Sequence, residues 1–265
     1  MTFIEKILSS QQIANSKLCI GLDTSLSNIP EHLLGEENPI LTFNKAIIDA
    51  TSDLACAYKP NVAYYEAAGV KGYQALEATL SHIPEQILTI ADIKRGDLGA
   101  TSEQYALAYQ VNLPFDVVTL SPYMGFDSVE PFLGRNDRGV FFLGLTSNPS
   151  AKEFQYLELA TGKKIFEEVT DRVREWNKAK NNCGIVVGAT KSSELKALRE
   201  RAPELPFLIP GIGAQGGSLE ESLAANGGGI AIINVSRGIC GASKGKDFAE
   251  AARAAAMSYV EVMRK

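Results

Sequence analysis

Short apolar runs recur along the chain, each leading into a longer stretch whose apolar positions repeat at helical spacing. The runs are residues 17–22 (KLCIGL), 54–59 (LACAYK), 87–94 (ILTIADIK), 115–120 (FDVVTL), 140–145 (VFFLGL), 184–188 (GIVVG), 207–210 (FLIP) and 229–235 (GIAIINV). Helical periodicity covers 41–51, 64–80, 102–111, 165–180, 193–201 and 219–225, and a last helix spans 246–264. Ahead of the first run, Phe3, Ile4, Ile7 and Leu8 share one helical face, and Thr2 and Glu5 have the spacing of a capping box.

Apolar runs without alternation mean strands buried on both faces, as in a parallel sheet covered by helices. Eight β-then-α units within 265 residues predict a single α/β domain over 1–265, a (β/α)8 TIM barrel with an extra N-terminal helix. A doubly wound open sheet is the alternative, but it needs fewer units for one domain. No linker, composition shift or internal repeat divides the chain.

Composition narrows the partners. With 45% hydrophobic and 22% charged residues the chain is an ordinary globular protein. A net charge of -5 argues against binding a nucleic-acid backbone, while leaving room for a local phosphate pocket. No stretch reaches the ~18–20 apolar residues of a membrane span, and the start lacks the order of a signal peptide. Cys19, Cys56, Cys183 and Cys240 are dispersed without a C-x-x-C pair, so they read as small hydrophobes in a cytoplasmic protein. His32 and His82, the two histidines, offer no basis for a His-based triad or a zinc site. Tyr64, Tyr65, Tyr105, Tyr109 and Trp176 read as packing residues, and the Asn234-Val235-Ser236 sequon ends a buried strand.

In a barrel of this kind the active site lies at the C-terminal ends of the strands. Strand one ends in Asp23, strand two in Lys59 and strand three in Asp92-Ile93-Lys94; strand five runs into Thr146-Ser147-Asn148, and strand eight into Asn234-Val235-Ser236-Arg237. Asp92 and Lys94, two apart on a strand, point to one face, and Asp97 and Thr101 follow closely in ADIKRGDLGAT. Carboxylates and an ammonium at such spacing hold one another ionised. The glycine-rich PGIGAQGG at 210–217 matches G-x-G-x-x-G, yet no carboxylate follows about 20 positions on to hold a ribose. It reads better as a phosphate loop after strand seven, with Arg237 supplying charge and a bidentate fork.

DIKRGDLGAT, KPN at 59–61, PGIGAQGG and SRG at 236–238 together resemble the orotidine 5′-phosphate decarboxylase family. KPNVAYYE, SPYMGFDS and TSNPS resemble its longer bacterial subgroup, and the similarity runs from strand one to strand eight. The resemblance implies cofactor-independent conversion of orotidine 5′-phosphate to uridine 5′-phosphate and CO2 in de novo pyrimidine synthesis. It implies a catalytic tetrad of Lys59, Asp92, Lys94 and Asp97, with Lys94 protonating the C6 carbanion and no metal. It also implies substrate contacts from Asp23 to ribose, Ser147 to the pyrimidine amide, and Gln215, Ser236 and Arg237 to phosphate. Asp97 and Thr101 are implied to reach the neighbouring site of a homodimer. Ser236 and Gly238 depart from the Gly and Pro that many members carry around that arginine. A magnesium-dependent sugar-phosphate decarboxylase or aldolase on the same fold is the enzymatic alternative; it would place a metal-binding carboxylate where Lys59 stands. A catalytically silent nucleotide-binding barrel would show a broken tetrad. No role is assigned to the insertion at 150–161 beyond a partial lid or a dimer contact.

Overall fold

The computed structural model describes residues 1–213 and 216–265. Eight strands close into a parallel barrel in chain order: β1 Leu18–Leu22, β2 Ala57–Pro60, β3 Leu88–Arg95, β4 Val117–Leu120, β5 Gly139–Leu145, β6 Cys183–Val187, β7 Phe207–Pro210 and β8 Ala231–Val235. The expected (β/α)8 barrel is present, and β1 pairs with both β2 and β8 to close it.

Strand periodicity sorts the barrel residues into two layers. One set, including Cys19, Ala57, Ile90, Val117, Phe141, Val186, Leu208 and Ile232, fills the interior. The alternate set, including Ile20, Tyr58, Ala91, Val118, Phe142, Ile185, Phe207 and Ile233, packs outward beneath the helices. Helix α1 (Phe3–Ala14) closes the N-terminal end of the interior layer: Phe3 and Ile7 join that cluster, and the Phe3 ring meets Phe141 edge-on at 5.9 Å. The capping box is in place, with Glu5 N–H donating to Thr2 Oγ1 at 3.3 Å and Thr2 N–H to Glu5 Oε2 at 2.7 Å. Leu8, expected on the buried face, is 47% exposed.

The outer helices are α2 (Pro39–Thr51), α3 (Val62–Ala67), α4 (Gly69–His82), α5 (Gly99–Leu107), α6 (Ile165–Lys180), α7 (Ser192–Arg201), α8 (Leu219–Asn226), the short α9 (Arg237–Cys240) and α10 (Phe248–Met263). Three departures from the sequence reading have local causes. The single helix expected over 64–80 is two, because Gly69 adopts a left-handed φ of 64° between them. The helix expected over 102–111 ends in a wider π turn, Ala108–Asn112. After β4 two 3-10 turns, Phe126–Ser128 and Glu130–Leu133, replace the helix of a regular unit. That segment carries Pro122, Gly125, Pro131 and Gly134, which break helical hydrogen bonding or favour other backbone angles. Strand β2 is also shorter at its start than the 54–59 run, and Leu54, Ala55 and Cys56 lead into it buried.

Peripheral ion pairs link α6 to α7 and close the turn before β5. Arg201 donates twice to Asp171, at 2.7 Å each, and Arg135 donates twice to Asp137 at 3.0 and 2.9 Å. Hydrogen bonding from Arg201 holds the Asp171 carboxyl down to about 2, and Arg135 does the same for Asp137, also to about 2. Both values lie below the ordinary ~3.9 of an unfolded aspartate. Their stabilisation is therefore fully present above that pH and lost as pH falls through the folded values. The melting temperature should stay level from about pH 7 to about pH 5 and fall steeply below about pH 4. A melting temperature already falling between about pH 7 and pH 5 would contradict this.

Candidate active site

The strand alternation that fills the barrel changes chemistry at its last inward step. Beyond Ala57, Ile90, Val117 and Ile232 the next inward residues are Lys59, Asp92, Thr119 and Asn234. They are 4%, 9%, 1% and 7% exposed, so four polar side chains are buried at the floor of one mouth. Above them opens a cavity of about 440 Å3, lined also by Asp23, Asn61, Lys94, Ser147, Ser236 and Arg237. This volume lies in the range of small-molecule sites.

Asp92 is the centre of the arrangement. Lys59 Nζ donates to its Oδ2 at 2.8 Å, Lys94 Nζ to its Oδ1 at 2.5 Å, and Thr119 Oγ1 to the same Oδ1 at 2.9 Å. Burial opposes the charge on Asp92, but the two ammonium groups overcome it and hold the carboxyl well below the usual carboxylate range. Burial likewise opposes the charge on Lys59, and the Asp92 and Asp23 carboxylates outweigh it and push its pKa up. The floor is thus a fixed line of plus, minus, plus. Lys59 is enclosed, whereas the Lys94 side chain is 48% exposed toward the cavity.

Lys94 reaches that position through an irregularity in β3. Its φ is 48°, in the left-handed region. For a non-glycine residue this costs roughly 1–2 kcal/mol. Next to it, Arg95 carries the strand back into register: Ser121 N–H donates to its carbonyl at 2.8 Å, and its guanidinium donates to Glu66 Oε1 and to the Ile93 carbonyl.

The remaining candidates fall into two groups. Asp23 has an Oδ1 that is buried without a hydrogen-bond partner among the described residues, an acceptor facing a site rather than a structural bond. Ser147 lines the cavity beside Gly188, where an added Cβ would lie 2.2 Å from its Oγ, so only glycine admits the serine there. Ser236 precedes the short α9 without a side-chain capping bond, and Arg237 opens that helix at the cavity rim. Asp97 and Thr101 are not among the cavity-lining residues. Asp97 Oδ1 instead accepts from Leu98 N–H at 2.8 Å, and Thr101 is exposed on the first turn of α5. Close sequence spacing had suggested that Asp97 stands with Asp92 and Lys94; within one chain it does not. Gln215 lies outside the described residues.

Two contributors were missed from sequence. Thr119 was readable, because FDVVTL places it two residues after inward-facing Val117. Gln155 was not, since it acts from the 150–161 insertion: its Oε1 accepts from Thr146 N–H at 2.8 Å and its Nε2 donates to Thr146 Oγ1 at 2.7 Å. The insertion therefore braces the β5 loop that presents Ser147. Tyr156, one residue on, bonds Glu194 at 2.6 Å and packs edge-on against Phe166.

A larger groove of about 800 Å3 lies at the opposite, N-terminal end, where Asp116 pairs with Lys6 at 2.6 Å and with Arg138 at 3.8 Å. No helix among the described residues is long and apolar enough to cross a membrane.

Comparison with known proteins gives this geometry its place. Residues 16–255 match the family model of the orotidine 5′-phosphate decarboxylase / HUMPS family. The chain is 49% identical over 259 residues to an orotidine 5′-phosphate decarboxylase of Herpetosiphon aurantiacus, covering 97% of this chain and 96% of that protein. It is 48% identical over 260 residues to one of Flavobacterium johnsoniae, covering 96% and 94%. The solved structure of Leishmania donovani OMP decarboxylase superposes with a TM-score of 0.84 at 34% identity, covering 100% of both chains. Relatives and solved structure agree over nearly the whole chain, and on that footing it belongs to the orotidine 5′-phosphate decarboxylase family, decarboxylating lyases on a (β/α)8 barrel.

Proposed function

We propose that the cavity binds orotidine 5′-phosphate and that Lys94 protonates C6 as the carboxylate leaves. The observation that carries this reading is the Lys59–Asp92–Lys94 line, a buried carboxylate hydrogen-bonded to an amine nitrogen that faces the cavity. The bond between C6 and the carboxylate carbon breaks heterolytically, CO2 departs, and the electron pair stays on C6. The Lys94 ammonium stabilises that developing charge and then gives up a proton to it, leaving a neutral amine that solvent recharges. Asp92, in contact with Lys94 Nζ at 2.5 Å, aims the side chain. The reaction as written draws on these side chains alone, with no metal or cofactor.

Binding falls to the rim. Asp23, whose buried Oδ1 has no partner among the described residues, and Lys59 take the ribose hydroxyls. Ser147 contacts the pyrimidine amide, and Arg237, the backbone at Ser236 and Gln215 take the phosphate. The phosphate is remote from the breaking bond, so its binding energy goes into holding the reacting carbon against Lys94. The partner is a second copy of this chain rather than a nucleic acid or a membrane. Asp97 and Thr101, which stand outside their own cavity with half-exposed Leu98 between them, complete the neighbour's site. The four unpaired cysteines suit a cytoplasmic setting.

Mixing two inactive variants tests the shared site. Lys94→Ala and Asp97→Ala homodimers each lack one group at both sites. After subunit exchange, the mixed dimer carries one site with Lys94 from one chain and Asp97 from the other. Roughly a quarter of wild-type activity should return, since random exchange makes about half the dimers mixed and each has one intact site of two. No recovery from a mixture shown to have exchanged would place Asp97 outside the neighbouring site.

A further inference from the structure

Thr119 does more than fill space in the barrel floor. Between the register pairs Ala91↔Val118 and Arg95↔Leu120, three residues of β3 (Asp92, Ile93 and Lys94) face Thr119 alone on β4. A regular parallel ladder cannot satisfy the extra backbone amides. The Thr119 hydroxyl does so instead. Its Oγ1 accepts from Ile93 N–H at 3.0 Å and from Lys94 N–H at 3.1 Å, and it donates its own proton to Asp92 Oδ1 at 2.9 Å. The hydroxyl is 1% exposed at the residue level, so no water competes for these bonds. A single oxygen thus ties together the backbone of the left-handed Lys94 and the carboxylate oxygen that the Lys94 ammonium also contacts.

From this geometry we infer that Thr119 is a positioning residue for Lys94, fixing both its strained backbone and the carboxylate that aims its ammonium. The inference rests on the reading of Lys94 as proton donor. It also carries a polarity: the Thr119 proton is committed to Asp92, because both amides point their own protons at the oxygen. Substituents at 119 should therefore act on the chemical step more than on substrate binding, since the substrate contacts assigned above lie elsewhere.

The test compares Thr119→Val, which keeps the shape and removes the hydroxyl, with Thr119→Ser, which keeps the hydroxyl and removes a methyl. The expected result is a kcat about 10- to 100-fold lower for the valine variant, with KM within about threefold of wild type. The serine variant should return kcat to within about threefold of wild type. Should Thr119→Val fail to fold, Thr119→Ser against Thr119→Ala makes the same comparison of hydroxyl with none. Equal kcat in folded variants with and without the hydroxyl would overturn the inference, as would a loss confined to KM, or a serine variant as slow as the hydroxyl-free one. Lys94→Ala, assayed alongside, separates the two levels. If it turns over normally, the donor reading itself has failed; if it is inactive while Thr119→Val is normal, only the positioning role has.

Discussion

Replacing Lys94 with alanine should abolish turnover and leave the barrel folded. The two halves of that expectation have separate causes. The Lys94 side chain is half exposed to the cavity and contributes no core packing. Its removal leaves Asp92 still bonded to Lys59 at 2.8 Å and to Thr119 at 2.9 Å, so no buried charge is stranded. The reaction, by contrast, loses its acid and the positive charge opposite the developing carbanion together. General-acid catalysis contributes ~100- to 10,000-fold, and a preorganised charge at the reacting atom a further ~100- to 1,000-fold. A fall in kcat of at least about 10,000-fold is expected, with the melting temperature within a few degrees of wild type. Retention of a near-wild-type rate would remove Lys94 as the proton donor.

Arg237→Ala should produce the second large effect, and a selective one. Arg237 stands where β8 passes into α9, at the cavity rim. A guanidinium forms two parallel bonds to a phosphate, and charge-assisted bonds are stronger than neutral ones. Losing both bonds, at roughly 1.5–3 kcal/mol per charged hydrogen bond, should weaken uridine 5′-phosphate by at least about 100-fold, and uridine hardly at all. Calorimetric titration of the two ligands against wild type and variant reads the difference directly. Equal losses for nucleotide and nucleoside would move the phosphate site elsewhere.

The strand ends were legible in the sequence because burial on both faces makes each strand an apolar run, and the first polar residue after it stands out. Asp23, Lys59, Asp92, Lys94, Ser147, Ser236 and Arg237 were found in that way and line one cavity. What stayed hidden depends on backbone departures from ideal geometry. A period-two reading puts Asp92 and Lys94 on one face, but the structure brings them together through a bulge and a left-handed lysine. No propensity announces that arrangement. Thr119 escaped notice because a threonine inside an apolar run is an ordinary strand residue. Gln155 could not be found at all, since its partner Thr146 lies nine positions away across a loop of irregular backbone. The break at Gly69 lies inside the helical periodicity of 64–80, which hides it, whereas the 3-10 turns after β4 fall where the sequence shows no helical periodicity and only the repeat of β-then-α units implies a helix.

The alternative chemistry on this fold is constrained by one residue. A magnesium-dependent sugar-phosphate lyase would use a carboxylate at the end of strand two. Lys59 occupies that place, is buried, and is bonded to Asp92. An ammonium there repels a cation and already occupies an oxygen of Asp92, a carboxylate that could otherwise serve as its ligand.

The central claim is that this cavity decarboxylates orotidine 5′-phosphate through its own side chains. Its most direct test is a spectrophotometric assay of the purified protein with orotidine 5′-phosphate, run with and without EDTA. The expected result is loss of the orotate absorbance at the same rate in both, with uridine 5′-phosphate as product. Folded protein that leaves orotidine 5′-phosphate unchanged, or turnover that EDTA abolishes, would contradict it.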